Sequence, residues 1–248
     1  SSDLEREGSN MERFIRVEFQ KMKGTFGMKL IWIVPVFCIL LCGLGGGQNA
    51  AFNWWYTIFL PGALTLISSL IVLKDEKSKY RGILPLPIEM KDVWTGKMIY
   101  CIICCFIASI ISAIGVVFVG IIYKETISIG QNIIATILII LLFMWQIPLC
   151  MFLASKLGIF VTVLINMFFT IVGVAVFSTT EMWYIFPYSI PSRLMAVVLH
   201  ILPNGLPVPE GSEFLNNAVI LPGVLISIVL FVLFALATRV WFNNREVK

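Results

Sequence analysis

Residues 98–123 read MIYCIICCFIASIISAIGVVFVGIIY, twenty-six positions without one charged side chain. As a helix rising 1.5 Å per residue the stretch would be about 39 Å long, enough to cross a hydrocarbon layer of about 30 Å with some tilt. It shows neither the 3.6-residue nor the two-residue alternation that a half-buried element of a soluble domain would show. Comparable runs occupy 30–47, 51–73, 133–153, 157–177 and 218–241. The whole chain of 248 residues is 59% hydrophobic and only 13% charged, well beyond the usual composition of a soluble domain. The expected fold is an all-α integral membrane protein with six transmembrane helices. Pro35, Pro61 and Pro148 fall inside these runs and are tolerated there, because neighbouring groups can satisfy the freed carbonyls.

With the N-terminus inside, sixteen of the eighteen Lys and Arg residues fall on the inner side, and only Lys124 and Arg193 fall outside. This asymmetry places both termini in the cytoplasm. It also accounts for the net charge of +4 without a nucleic-acid partner. The six cysteines all lie within apolar runs, so they read as small buried hydrophobes rather than a disulfide framework.

Residues 1–10, SSDLEREGSN, read as an appended or disordered tail ahead of a natural start at Met11, with 11–248 as one transmembrane domain. Residues 11–26 have the spacing of a basic amphipathic helix lying in the membrane interface, its apolar side carrying Phe14, Ile15, Phe19 and Met22. Glu18 interrupts that side, within reach of Lys21, and is expected to reach back to the headgroups. Between the fifth and sixth runs, residues 178–217 carry Trp183, Tyr184, Phe186 and Tyr188, which suit an interfacial aromatic belt. A helix over 191–202, opened by Pro191, is too short to cross. The segment is expected to form a re-entrant or interfacial hairpin on the outer side.

Catalytic groupings are scarce. His200 is the only histidine, which excludes zinc sites built on two or three histidines. No catalytic or metal-ligating residue is assigned. No carboxylate lies in the middle of a run, as proton-driven transporters usually require. No GxxxxGK[ST] phosphate-binding loop occurs, so ATP hydrolysis by that route is not available to this chain. Gln146 and Asn166 are the most polar groups at depth and read as hydrogen-bonding partners between helices.

One internal loop remains. Residues 74–97, KDEKSKYRGILPLPIEMKDVWTGK, concentrate charge and two prolines between apolar runs. Together with six spans, a basic amphipathic first helix and an outer hairpin, this loop resembles the permeases of type-2 ABC transporters. The residues that carry the likeness are Asp75-Glu76-Lys77, Tyr80-Arg81-Gly82, Ile83-Leu84, Pro87-Ile88 and Gly96-Lys97. The short interval from Gly82 to Pro87 is most similar to the lantibiotic-immunity permeases of Gram-positive bacteria. A segment stiffened at Pro85 and Pro87 could seat in an ATPase as a cytoplasmic coupling helix. Leu84, Leu86 and Ile88 would be its apolar anchor, and Asp75, Glu76, Lys77 and Arg81 its polar rim.

The resemblance implies a permease subunit, itself no enzyme and without a cofactor, in a multi-pass bacterial cell-membrane exporter. ATP and Mg would be handled by a partner ATPase in two copies, beside a second permease that is identical or related. Such a complex would expel a lantibiotic or similar membrane-active peptide antibiotic, met on the outer side near Trp183, Tyr184, Phe186 and Tyr188, with membrane lipid as surroundings. The alternatives are another type-2 exporter, moving a drug, glycan or ion, and a membrane sensor or scaffold.

Overall fold

The computed structural model describes residues 2–77 and 89–245. Among these the chain is predominantly helical, its only strand-like feature being an isolated bridge between Ile201 and Pro207. Four helical runs are long and apolar enough to cross a membrane: Phe26–Lys77, Met90–Ile122, Ile129–Phe177 and Asn217–Asn243. The protein is an all-α membrane protein.

Two of those runs turn back on themselves at a glycine. In the first, α2 (Phe26–Cys38) continues through a π-helical turn into α3 (Leu44–Trp54), and a second π-helical turn leads to α4 (Leu60–Lys77). Gly47 sits inside α3 at φ 76°, ψ −169°, a backbone conformation that is essentially reserved for glycine and costs a side-chain-bearing residue about 1–3 kcal/mol. Cys38 Sγ donates to the carbonyl of Ala51 at 3.6 Å, whereas thirteen residues of straight helix would separate them by about 20 Å. The third run holds α6 (Ile129–Phe143) and α7 (Gln146–Val172), and here Gly158 has φ 80°, ψ 171°. Asn166 Nδ2 donates to Gln146 Oε1 at 3.1 Å, although twenty residues of straight helix span about 30 Å. Adding α5 (Met90–Ile122) and α9 (Ile220–Asn243) gives six apolar helical segments.

The segments pack with α4 at the centre, in contact with α2, α5 and α7. Its inward face presents Leu60, Leu64, Ile67 and Ile71 together with Thr65, Ser68 and Ser69, all buried. The outside of the bundle is the apolar side. Along α9, Leu221, Leu225, Val229, Leu233, Leu236 and Val240 are all more than half exposed. A soluble protein would not tolerate a stripe of this kind, and lipid supplies its cover.

At the start of the chain, α1 (Ser2–Met22) is continuous through residues 2–10, so the helix begins ahead of Met11. It ends sooner than the spacing suggests, because Gly24 takes φ 76° and Thr25 Oγ1 donates to the carbonyl of Met22. Phe26 therefore opens α2. On the opposite end, residues 178–217 form short 3₁₀ turns around α8 (Ile190–Val198). At nine residues, about 14 Å, α8 cannot cross. Ile190, Leu194 and Met195 are fully buried where it packs against α6 and α9. The helix stops four residues before the expected 202, because His200 takes a left-handed conformation (φ 57°) and its carbonyl accepts from the Val208 N–H. Asn53 Nδ2 ties the resulting loop down, reaching the carbonyls of Leu202 and Pro203 at 3.2 and 3.1 Å.

Candidate functional site

The charged end of the bundle is where α1, α4 and α5 converge, and a glycine makes the convergence close. A Cβ on Gly96 would lie 2.9 Å from Phe14 Cβ, so α1 settles directly onto the first turns of α5. Phe19 then meets Tyr100 edge-on at 4.7 Å between ring centres, and Met22 is buried while Phe14 and Ile15 are half-buried. This docking carries Glu18 inward. Glu18 is 3% exposed, Lys97 1% and Asp75 6%.

Burial of charge on this scale requires partners, and each group has two. Lys97 Nζ donates to Glu18 Oε2 at 3.0 Å and also to Asp75 Oδ2. Lys21 Nζ closes the ring from the water side, at 2.8 Å from Glu18 Oε1 and 2.9 Å from Asp75 Oδ2. Two carboxylates and two ammonium groups cancel. Partial burial on its own would lower the Lys21 ammonium, but Glu18 and Asp75 outweigh it and hold the group above its ordinary range.

The next residue points elsewhere. Consecutive helical positions differ by about 100° around the axis, so Glu76 faces the other half of the bundle. Its Oε1 accepts from Arg245 Nη1 at 2.6 Å and from Ser155 Oγ, and Arg245 also reaches Ser155 at 2.7 Å. Ser155 lies beside the Gly158 reversal of α7, and Arg245 follows the end of α9. Trp241 sits between two cations, Lys156 Nζ at 5.0 Å and Arg245 Cζ at 5.6 Å from the ring centre. A third link binds α5 to α9: Arg239 pairs with Asp92 at 3.0 Å, Trp94 Nε1 donates to Thr238 Oγ1 at 3.0 Å, and Trp94 stacks on Phe242. Thus Asp75 and Glu76, adjacent at the end of α4, hold the first and second halves of the bundle respectively.

These positions revise two expectations. Glu18 does not reach for headgroups: with α1 seated on Gly96, it is buried and pairs with Lys97. Asp75 is not on an outward rim, since the same lysine turns it inward. Glu76 is partly covered by Arg245, and Lys77 is exposed. Tyr80, Arg81, Gly82, Ile83, Leu84, Pro85, Leu86, Pro87 and Ile88 lie outside the described residues.

At the far end, the four aromatic residues separate. Tyr184 is 52% exposed, whereas Trp183 and Tyr188 are buried. Phe186 is half-buried, stacked on Phe177 at 4.6 Å. Tyr188 belongs to an internal network: its hydroxyl donates to Asn166 Oδ1 at 3.0 Å, and Asn166 Nδ2 reaches Thr65 Oγ1 at 2.7 Å as well as Gln146. Gln146 and Asn166 therefore do link helices, with Thr65 and Tyr188 as partners that no local pattern indicates. The comparisons with family models, with curated proteins and with solved structures give no match to this chain.

Proposed function

We propose that the chain is a permease subunit of an ATP-driven exporter that clears a lantibiotic or similar membrane-active peptide from a bacterial cell membrane. In this reading all six apolar segments cross the membrane, reversing at Gly47 and Gly158, with both termini and the charged end in the cytoplasm. ATP is hydrolysed by separate subunits, and a second permease, identical or related, completes the pathway.

The observation that supports this most is the buried ring of Glu18, Asp75, Lys97 and Lys21. Residues 78–88, read as the segment that an ATPase grips, connect the end of α4 to the start of α5. Both of these helix ends are locked to α1 by charges that cannot separate without leaving an unpaired ion in a nearly dry site. Glu76 extends the same connection to α7 and α9. A displacement of the loop would therefore move helices on both sides of the bundle rather than flex a slack tether. On the outer side, Tyr184 and the neighbouring exposed Met182 and Ile185 are the groups that a peptide in the outer leaflet would meet first.

Co-purification tests the reading. The chain, expressed with the products of its neighbouring genes, should retain an ATPase subunit, and Arg81→Glu or Leu84→Asp should release it. Retention by both variants, with coupled ATPase activity unchanged, would remove the coupling role. A deletion strain that is no more sensitive to a lantibiotic panel than its parent would remove the substrate class.

A further inference from the structure

Away from the charged ring, a cleft of about 300 Å³ opens between the junction of α3 with α4, the end of α7 and the loop at Pro203 and Asn204. We propose that it seats an uncharged, extended stretch of a peptide, one of whose backbone N–H groups donates to Asn53 Oδ1. That the occupant is a peptide rests on the proposed function; that it brings an N–H and no charge rests on the cleft alone.

The walls have a feature in common. Thr57 and Ile58 belong to the π-helical turn Trp55–Phe59, and Val174 and Ala175 to the π-helical turn Gly173–Phe177. In each, an N–H reaches back five residues: that of Leu60 to the carbonyl of Trp55, and that of Ser178 to the carbonyl of Gly173 at 2.9 Å. Such turns are rare, widen the helix locally and recur at functional sites. Here two of them, on separate segments, border one cleft.

The polar group beside them is Asn53, 7% exposed and itself on the cleft border. Its Nδ2 lies 3.2 and 3.1 Å from the carbonyls of Leu202 and Pro203. Only the amino end of an amide can face two carbonyls, so this contact fixes which way the side chain points. Oδ1 is left without a donor among the described residues, and it keeps some access to the outside. A nearly buried acceptor with no donor is uncommon, and an occupant that gives an N–H completes it. No charged side chain borders the cleft, so nothing there neutralises a phosphate or an ammonium group. The ester and phosphate oxygens of phosphatidylcholine are acceptors only and leave Oδ1 unmet. A peptide backbone brings the donor without charge, and its apolar side chains cover Trp54 and Ile171, which are 44% and 54% exposed at the border. The volume is at the lower end of the range for small-ligand sites, which suits a short stretch of a peptide rather than a whole one.

The test uses the full chain in nanodiscs of dioleoylphosphatidylcholine and two probes, N-acetyl-Ala-photoleucine-Ala-Leu-amide and the same peptide with every amide nitrogen methylated. Photolabelling mapped by mass spectrometry should fall on Trp54, Ile58, Ile171 and Val174. It should be about fivefold weaker for the methylated probe, the worth of one hydrogen bond, and this comparison needs no variant. Ala175→Trp fills the cleft from an exposed position and should abolish the labelling. Val176→Trp, exposed beside it but off the cleft, should leave the labelling intact. Equal labelling by the two probes, or labelling unchanged in Ala175→Trp, would overturn the proposal. Protection by dioleoylphosphatidylethanolamine in the nanodisc would overturn it in favour of a lipid headgroup, and protection seen only with two copies per nanodisc in favour of a second copy. The two readings fail separately. Mapped, N–H-dependent labelling of a protein whose deletion leaves peptide resistance unchanged removes the exporter and keeps the cleft, and the reverse pattern removes the cleft alone.

Discussion

Replacing Lys97 with methionine keeps the length of the side chain and removes its charge. In the native protein the ammonium serves two carboxylates, Glu18 Oε2 at 3.0 Å and Asp75 Oδ2, in a site where the three side chains are 1%, 4% and 9% exposed. After the change, two negative charges share Lys21 alone, whose side chain is 26% exposed. Removing one partner of a buried pair costs about 3–5 kcal/mol, because the other is left uncompensated. For a chain of this size that corresponds to a fall in melting temperature of roughly 6–20 °C. Arg16→Met is the matched control, since the Arg16–Glu12 pair is 69% and 72% exposed and should contribute about 0–1 kcal/mol. The cysteines provide the assay: Cys101, Cys104 and Cys105 are buried one and two turns along α5 from Lys97, so a thiol-reactive fluorophore reports their exposure on heating. The double variant Lys97→Met/Asp75→Asn restores charge balance between Glu18 and Lys21 and should recover part of the loss. A Lys97→Met protein melting within 2 °C of wild type, or a double variant less stable than both singles, would refute the account of the ring.

Gly158→Ala places a Cβ at φ 80°, ψ 171° and should cost about 1–3 kcal/mol, seen as an earlier thiol transition. No change would mean that α7 does not reverse there. Asn166→Leu leaves Gln146, Thr65 and Tyr188 short of a partner in the interior and should destabilise by about 1–3 kcal/mol. Tyr188→Phe, which removes one hydroxyl of the same network, should have a smaller effect in the same direction, and a thermal series that ranks them otherwise contradicts the hydrogen-bond assignment. Tyr184→Ala should leave the melting temperature unchanged and reduce peptide resistance, whereas a stability loss without a resistance change would place Tyr184 in the packing instead.

How far local pattern reaches can be seen at three places. The apolar runs are legible, because hydropathy is a property of a few neighbouring residues, whereas the positive φ at Gly47 and Gly158 is seen only in the folded backbone. The amphipathic face of α1 is legible too, but not what it faces. A basic helix beside a membrane run has the same spacing whether it lies on lipid or on α5. Only the absent side chain at Gly96, under Phe14, decides between them. Among the aromatics of 183–188, Trp183, Tyr184, Phe186 and Tyr188 look equivalent in a stretch of six residues, and the fold buries two of them.

Sequence alone therefore determined that the chain is built of apolar helices suited to a membrane. That follows from composition and run length, which burial energetics reads additively. The tertiary structure decided which charges meet. Glu18 and Lys97 are 79 residues apart and Lys97 and Asp75 are 22 apart, each at the margin of its helix, where it could as well face water. Asp75 and Glu76 are identical in their surroundings along the chain, yet they serve opposite halves of the bundle. The direction of a side chain around a helix has no meaning until the neighbouring helices are in place.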